Sequence, residues 1–100
     1  MLTRVNVDNE HSDTRTVIEI ETEDRIGLLY MISQAFAELG LDISVAKILT
    51  EKGAAIDTFY VTDIAKQKVT DPKLLAEIES RLRAAIAALD QPAEPVSAAA

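Results

Sequence analysis

From Thr16 to Thr22 apolar and polar residues alternate, with Ile18 and Ile20 on one side and Val17, Glu19 and Glu21 on the other, the pattern of a strand with one buried face. Val5 and Val7, set among Arg4, Asn6 and Asp8, predict a shorter edge strand before it, closed by the polar run from Asp8 to Thr14. The period then changes. Leu28, Leu29, Ile32, Phe36 and Leu39 recur at three- and four-residue spacing, which predicts an amphipathic helix over 28–39, stopped by Gly40. Two further β-prone runs, Leu41 to Thr50 and Ala54 to Thr62, flank the polar turn Glu51-Lys52-Gly53 and read as a hairpin. After a connector over 63–70, Asp71 caps a second helix that starts at Pro72 and buries Leu74, Leu75, Ile78, Leu82, Ile86 and Leu89.

The predicted order is strand, strand, helix, strand, strand, helix. Each helix has one apolar stripe and a sheet of four strands offers one apolar face, so the expected fold is an α+β ferredoxin-like sandwich, a four-stranded antiparallel sheet with both helices on one face. Phe59 and Val61 are assigned to the helix side, which sends Val17, Ile56, Thr58 and Tyr60 to the other, an apolar set that a partner surface would cover. One domain is expected over 1–89. The segment 90–100, with Pro92, Pro95 and the closing alanines, has little to bury and is expected to be a frayed tail.

Charge narrows the partners. Seventeen acidic residues against ten scattered basic ones give a net charge of −7, the wrong sign for nucleic acid. The chain has no cysteine, no signal-like N-terminal segment and no apolar run of membrane-spanning length, so a cytoplasmic module is the expectation. His11 is the single histidine and sits in a polar linker, so no histidine-based metal set can be built, and no metal or cofactor is expected. Glu19 and Glu21 share a strand face without a second cluster to complete a cation site. Asp57, in the last strand, is expected to face inward and bind a backbone group.

The candidate chemistry gathers at Asp24-Arg25-Ile26-Gly27-Leu28-Leu29, where the strand pattern gives way to the helical one. A glycine at such a corner allows a tight turn and leaves the first helical N–H groups open to a small anion. A free amino acid needs N–H donors for its carboxylate and an oxygen for its ammonium; Gly27, Leu28 and Leu29 would supply the first and Asp24 the second. The residues alone leave another reading open, in which Asp24 caps the helix and Gly27 serves only the turn.

Several separated segments resemble the ACT domain, a small regulatory module that binds amino acids: Thr16 to Ile20, Asp24 to Leu29, Phe36 to Ile43, Ala46 to Ile48 and Asp57 to Asp63. Arg4-Val5 with Asp8-Asn9-Glu10, Phe59 to Asp63 and Lys68-Val69-Thr70-Asp71-Pro72 are more closely similar to the C-terminal ACT domains of bifunctional uridylyltransferase/uridylyl-removing enzymes. The resemblance spans about residues 4 to 89. It implies glutamine as ligand, nitrogen status as the message, and pairing of two copies so that the loop of one faces a strand of the other. By the same resemblance, Ile43, Ser44 and Ala46 of that strand would reach the ligand, beside Asp24, Arg25, Ile26, Gly27, Leu28 and Leu29. The family usually has proline where this chain has Ile26, and a freer φ raises the entropy lost on ordering the loop by about 0.4–1 kcal/mol. No nucleotidyltransferase signature is present, so the chain reads as a regulatory domain and not an enzyme; the alternative is a docking or dimerisation module indifferent to ligand. An acylphosphatase lacks its phosphate loop here, and an RNA-binding sheet its stacking aromatics.

Overall fold

The computed structural model describes residues 2–90, so the tail expected over 90–100 lies, apart from Asp90, outside the described residues. Six elements follow in the expected order: β1 (Arg4–Asp8), β2 (Thr16–Glu23), α1 (Leu28–Glu38), β3 (Asp42–Glu51), β4 (Ala54–Thr62) and α2 (Pro72–Ala88). The strands form one sheet in the order β1-β2-β4-β3, every neighbouring pair antiparallel. This is the ferredoxin-like arrangement. β4 therefore lies between β2 and β3, and the parallel pair β2 and β3 is joined by a crossover through α1, while β1 fills the edge beside β2.

Pairing register fixes which residues meet the helices. Ile18 lies opposite Phe59 and Val7, Ile20 opposite Asp57 and Val5, and Thr16 opposite Val61, so these rows face the helix layer. Phe59 and Val61 are buried there as expected. The helices contribute Leu28, Ile32, Ala35 and Phe36 from α1 and Ile78, Leu82, Ala85 and Ile86 from α2. Phe36 meets Phe59 edge to face, with ring centroids 5.2 Å apart, a geometry in which one ring's positive edge meets the other's negative face.

Two burial assignments change. Val17, opposite Tyr60 on the face away from the helices, is only 1% exposed and is not left in water. Leu29, expected in the buried stripe, is 43% exposed because it turns outward one position after Leu28, where α1 begins. The apolar surface that remains open is concentrated on the β3 edge instead: all ten residues of β3 are exposed, among them Ile43, Val45, Ile48 and Leu49. The β3–β4 turn places both Lys52 and Gly53 at positive φ, the turn whose twist matches that of the strands it joins.

Asp57 interrupts the apolar inner face of β4. It is 1% exposed, and its Oδ1 accepts a long hydrogen bond of 3.4 Å from the Leu49 N–H of β3, the inward, backbone-bound placement that the sequence suggests. Burial raises the pKa of this carboxyl above the usual aspartate value, the Leu49 N–H lowers it in part, and the neighbouring Asp24 charge raises it further. The folded state consequently holds its proton to higher pH than the unfolded chain does.

Two outcomes follow from this packing. Phe59→Ala removes the ring that fills the space between β4 and α1 and is expected to cost about 3–5 kcal/mol in urea unfolding. For Asp57 the linkage runs from the raised folded-state pKa: its contribution is most favourable below the unfolded value and is lost as pH rises through the folded one. Asp57→Asn keeps the shape and the acceptor oxygen, so the stability of the variant relative to the parent should grow between pH 4 and pH 7; a difference that is flat over this range, measured by thermal melts, contradicts the assignment.

Candidate functional site

The corner between β2 and α1 is built by one left-handed residue. Gly27 has φ 85° and ψ −3°, a conformation costly for a residue with a Cβ, and it stands as the N-cap of α1 without any side-chain cap. Asp24 is anchored at the other side of the corner, where its N–H donates to the Gly53 carbonyl at 2.9 Å and ties the loop to the β3–β4 turn. Asp24 does not cap the helix.

Of the expected donors, Leu28 is already engaged, its N–H donating to the Arg25 carbonyl at 3.2 Å, while the Met31 N–H closes the first helical turn on the Gly27 carbonyl at 3.0 Å. Among the described residues no backbone acceptor meets the Leu29 or Tyr30 N–H groups, and both residues are exposed. The Gly27 N–H likewise meets no backbone acceptor among the described residues, so of the three expected donors only Leu28 is taken, and Tyr30 joins Gly27 and Leu29. Helix N-termini attract anions, by about 0.3–1 kcal/mol at exposed positions. Ile26 projects fully into solvent at 99% exposure, at the tip of the corner.

Arg25 turns the other way. Its guanidinium donates to the Glu23 carbonyl, to the Ile86 carbonyl at 3.5 Å and to the Asp90 carboxylate at 3.1 Å, and its Nε is buried without a partner among the described residues. It therefore ties the corner to the C-terminal end of α2. Packing reinforces the tie, because a Cβ on Gly27 would lie 3.5 Å from the Leu89 side chain. Only the tertiary fold brings residues 25 and 90 together, so no local sequence signal announces this contact.

The three expected strand residues lie elsewhere in the chain. Ile43, opposite Val61, and Ser44, at a bulge where its hydroxyl donates to the Tyr60 carbonyl at 3.0 Å, stand at the end of β3 remote from the corner. Ala46 lies opposite Phe59 near mid-strand. A cavity of about 280 Å³ at that remote end is lined by Arg15, Asp42, Ile43, Ser44 and Lys66, among others, with Lys66 and Asp42 paired at 3.1 Å. Within one chain the structure thus brings Asp24 through Leu29 together, and keeps Ile43 and Ser44 apart from them. The part of β3 near the corner is Ile48 and Thr50, on the helix side of the strand, opposite Asp57 and Ala55. Among the described residues no group of three or more potential metal ligands occurs, and no helix is long and apolar enough to cross a membrane.

Comparison with known proteins agrees with this architecture. A family model described as "ACR9-like, ACT-like domain" matches residues 4–90. The bifunctional uridylyltransferase/uridylyl-removing enzyme of Azospirillum brasilense is 50% identical over 84 residues, and that of Gluconobacter oxydans 43% over 83, covering 84% and 83% of this chain. In each case the match occupies 9% of the relative's length. A solved structure of an unknown protein from Galdieria sulphuraria superposes with a TM-score of 0.58 at 21% identity over 70% of this chain and 37% of its own, a likeness of fold. With the uncapped corner, the split β-α-β sheet and these matches together, the chain belongs to the ACT-like domain family, in the branch found in bifunctional uridylyltransferase/uridylyl-removing enzymes.

Proposed function

We propose that this domain binds a free amino acid, glutamine, at the β2–α1 corner and passes the binding event to catalytic domains of a uridylyltransferase/uridylyl-removing enzyme. The observation that carries the reading is the uncapped N-terminus of α1: the N–H groups of Gly27, Leu29 and Tyr30 stand open among the described residues, in the same loop as an exposed carboxylate, Asp24. These groups match the two charged ends of an amino acid. A helix cap from the chain itself would satisfy such donors, and α2 has one in Asp71, whose side chain accepts from the Lys73 N–H at 3.1 Å.

The corner alone is open, and a second copy would close it. β3 is an edge strand of ten residues with exposed apolar side chains, the kind of edge that another strand covers. Antiparallel pairing of two β3 strands about a two-fold axis at mid-strand sets the start of each beside the end of the other. The partner copy's Ile43 and Ser44 would then approach this chain's Thr50 end and its corner, and Ala46 would lie near the axis. Ile43, Ser44 and Ala46 would thus join Asp24, Arg25, Ile26, Gly27, Leu28 and Leu29 in a site shared by two chains. Arg25 would carry the change outward, since movement of the corner alters its hold on Ile86 and Asp90 at the end of α2. The ligand need only favour one arrangement of the pair for this to act as a switch.

Two measurements test the reading. Isothermal titration should show saturable heat with glutamine; no heat and no thermal shift at millimolar glutamine reject it. Sedimentation should show a dimer, and Leu49→Lys, which puts a charge on the exposed β3 edge, should shift it toward monomer and weaken glutamine while leaving the melting temperature of the fold within a few degrees. A dimer that is indifferent to every amino acid would favour the docking function, whereas a monomer at high concentration would exclude pairing along β3.

A further inference from the structure

The end of the sheet remote from the β2–α1 corner holds a different kind of site, independent of the amino-acid reading. Arg15 directly precedes β2, Thr62 ends β4, and Asp42 begins β3 opposite Thr62, so neighbouring strands bring the three to one edge. With Thr14, Ser44 and Lys66 they line the cavity of about 280 Å³. A second cavity, of about 410 Å³, shares Thr14 and Lys66 with the first and adds Asp13, Gln67, Lys68 and Thr70. The chain as a whole carries a net charge of −7, yet three of its ten basic residues meet here.

The walls of both cavities are tied in place. Asp63 closes a turn: its carboxylate accepts from the Ala65 N–H at 2.8 Å and the Gln67 N–H at 3.0 Å, and its carbonyl accepts from the Lys66 N–H at 3.0 Å. Lys66 sits in that turn at φ 65°, a left-handed conformation that glycine or asparagine adopts at lower cost. Its ammonium meets Asp42 at 3.1 Å with both side chains exposed, a pair weak enough in water to leave the lysine able to donate to a ligand. The β1–β2 loop is joined to the connector after β4 by three further contacts. Lys68 Nζ donates to the Asn9 carbonyl at 2.7 Å, the Asn9 side chain to the Val69 carbonyl at 2.7 Å, and the Val69 N–H to Thr16 Oγ1 at 2.9 Å. Cavities framed in this way are formed before a ligand arrives.

Of the three cations Lys68 is engaged in that tie, whereas the exposed Arg15 guanidinium makes no hydrogen bond or ion pair among the described residues. The first cavity therefore offers a free guanidinium, an ammonium and the hydroxyls of Thr14 and Thr62, with Asp42 offsetting one of the two charges. Charged and neutral donors in this combination suit the oxygens of a phosphate group. The second cavity is different in kind: Asp13, Gln67 and Thr70 present acceptors and a hydroxyl, which suit the hydroxyl groups of a ligand. Ile43 is the one apolar side chain of the two linings, and no aromatic ring is among them, so neither cavity has a platform for a nucleobase. We propose that this end of the sheet binds a small phosphate ester of a polyhydroxylated compound, its phosphate against Arg15, Lys66, Thr14 and Thr62, its hydroxyl groups in the second cavity.

The test titrates ribose 5-phosphate, ribose, inorganic phosphate and gluconate into the full chain at constant ionic strength, without any amino acid, and follows backbone amide shifts by NMR. Ribose 5-phosphate should shift Arg15, Ser44, Thr62, Lys66 and Thr70 saturably, and bind at least tenfold more tightly than each of the other three. Arg15→Gln should weaken it by on the order of tenfold or more, as loss of a charge-assisted hydrogen bond does, while Arg83→Gln, on α2, should leave it unchanged. Inorganic phosphate binding as tightly as the ester would remove the second cavity from the site, and gluconate binding as tightly would remove the phosphate; either result overturns the proposal. Equal weakening by Arg15→Gln and Arg83→Gln would show only a general charge effect and overturns it as well. Shift mapping on the unaltered protein is decisive by itself should a variant misfold: shifts that do not saturate, or that fall outside the two cavities, reject the site.

Discussion

The register of β2 against β4 is the constraint from which the rest of the molecule follows. Eight residue pairs run from Thr16 opposite Val61 to Glu23 opposite Ala54. Because side chains alternate faces, a slip of one residue would turn either Ile18 and Ile20 or Phe59 and Val61 away from the helices. That register ends where the Asp24 N–H meets the Gly53 carbonyl, so the same ladder that aligns the core also fixes the start of the corner. It decides as well that Asp57 faces the helix layer. The polar residue and the candidate loop are brought to one end of the sheet by a single pairing choice.

The parts of this arrangement legible in the sequence are those with a local period. Alternation at Val5, Val7, Ile18 and Ile20, helical spacing from Leu28 to Phe36, and Asp71-Pro72 before α2 each carry their structure within a few residues, and the elements lie where these signals place them. The parts not legible depend on contacts far apart in the chain. Nothing near Arg25 indicates that its guanidinium caps the end of a helix some sixty residues away, and nothing near Val17 indicates that it is covered on the outer face. Hydrogen bonding at the corner was equally hidden: a glycine suggests open N–H groups, but which ones remain open depends on the Arg25 carbonyl turning back to Leu28. For the strand residues Ile43, Ser44 and Ala46 the sequence offers only resemblance, because any role at the corner needs a second chain.

The two helices provide a comparison inside one molecule. α2 begins with a side-chain cap and a proline at its first turn, and everything about its start favours a closed, stable end. α1 begins with a left-handed glycine, no cap, and an exposed isoleucine before it. If stability alone governed the fold, a side-chain-capped turn in place of the left-handed glycine at the start of α1, worth about 0.5–2 kcal/mol, and charged residues along the β3 edge would be expected. Choices against stability occur at the start of α1 and along β3, and also in the connector before α2, where Ile64 is exposed and Lys66 stands at positive φ. The open N–H donors at the start of α1 and the exposed apolar edge of β3 are departures from local consistency of the kind that the proposed binding role would use.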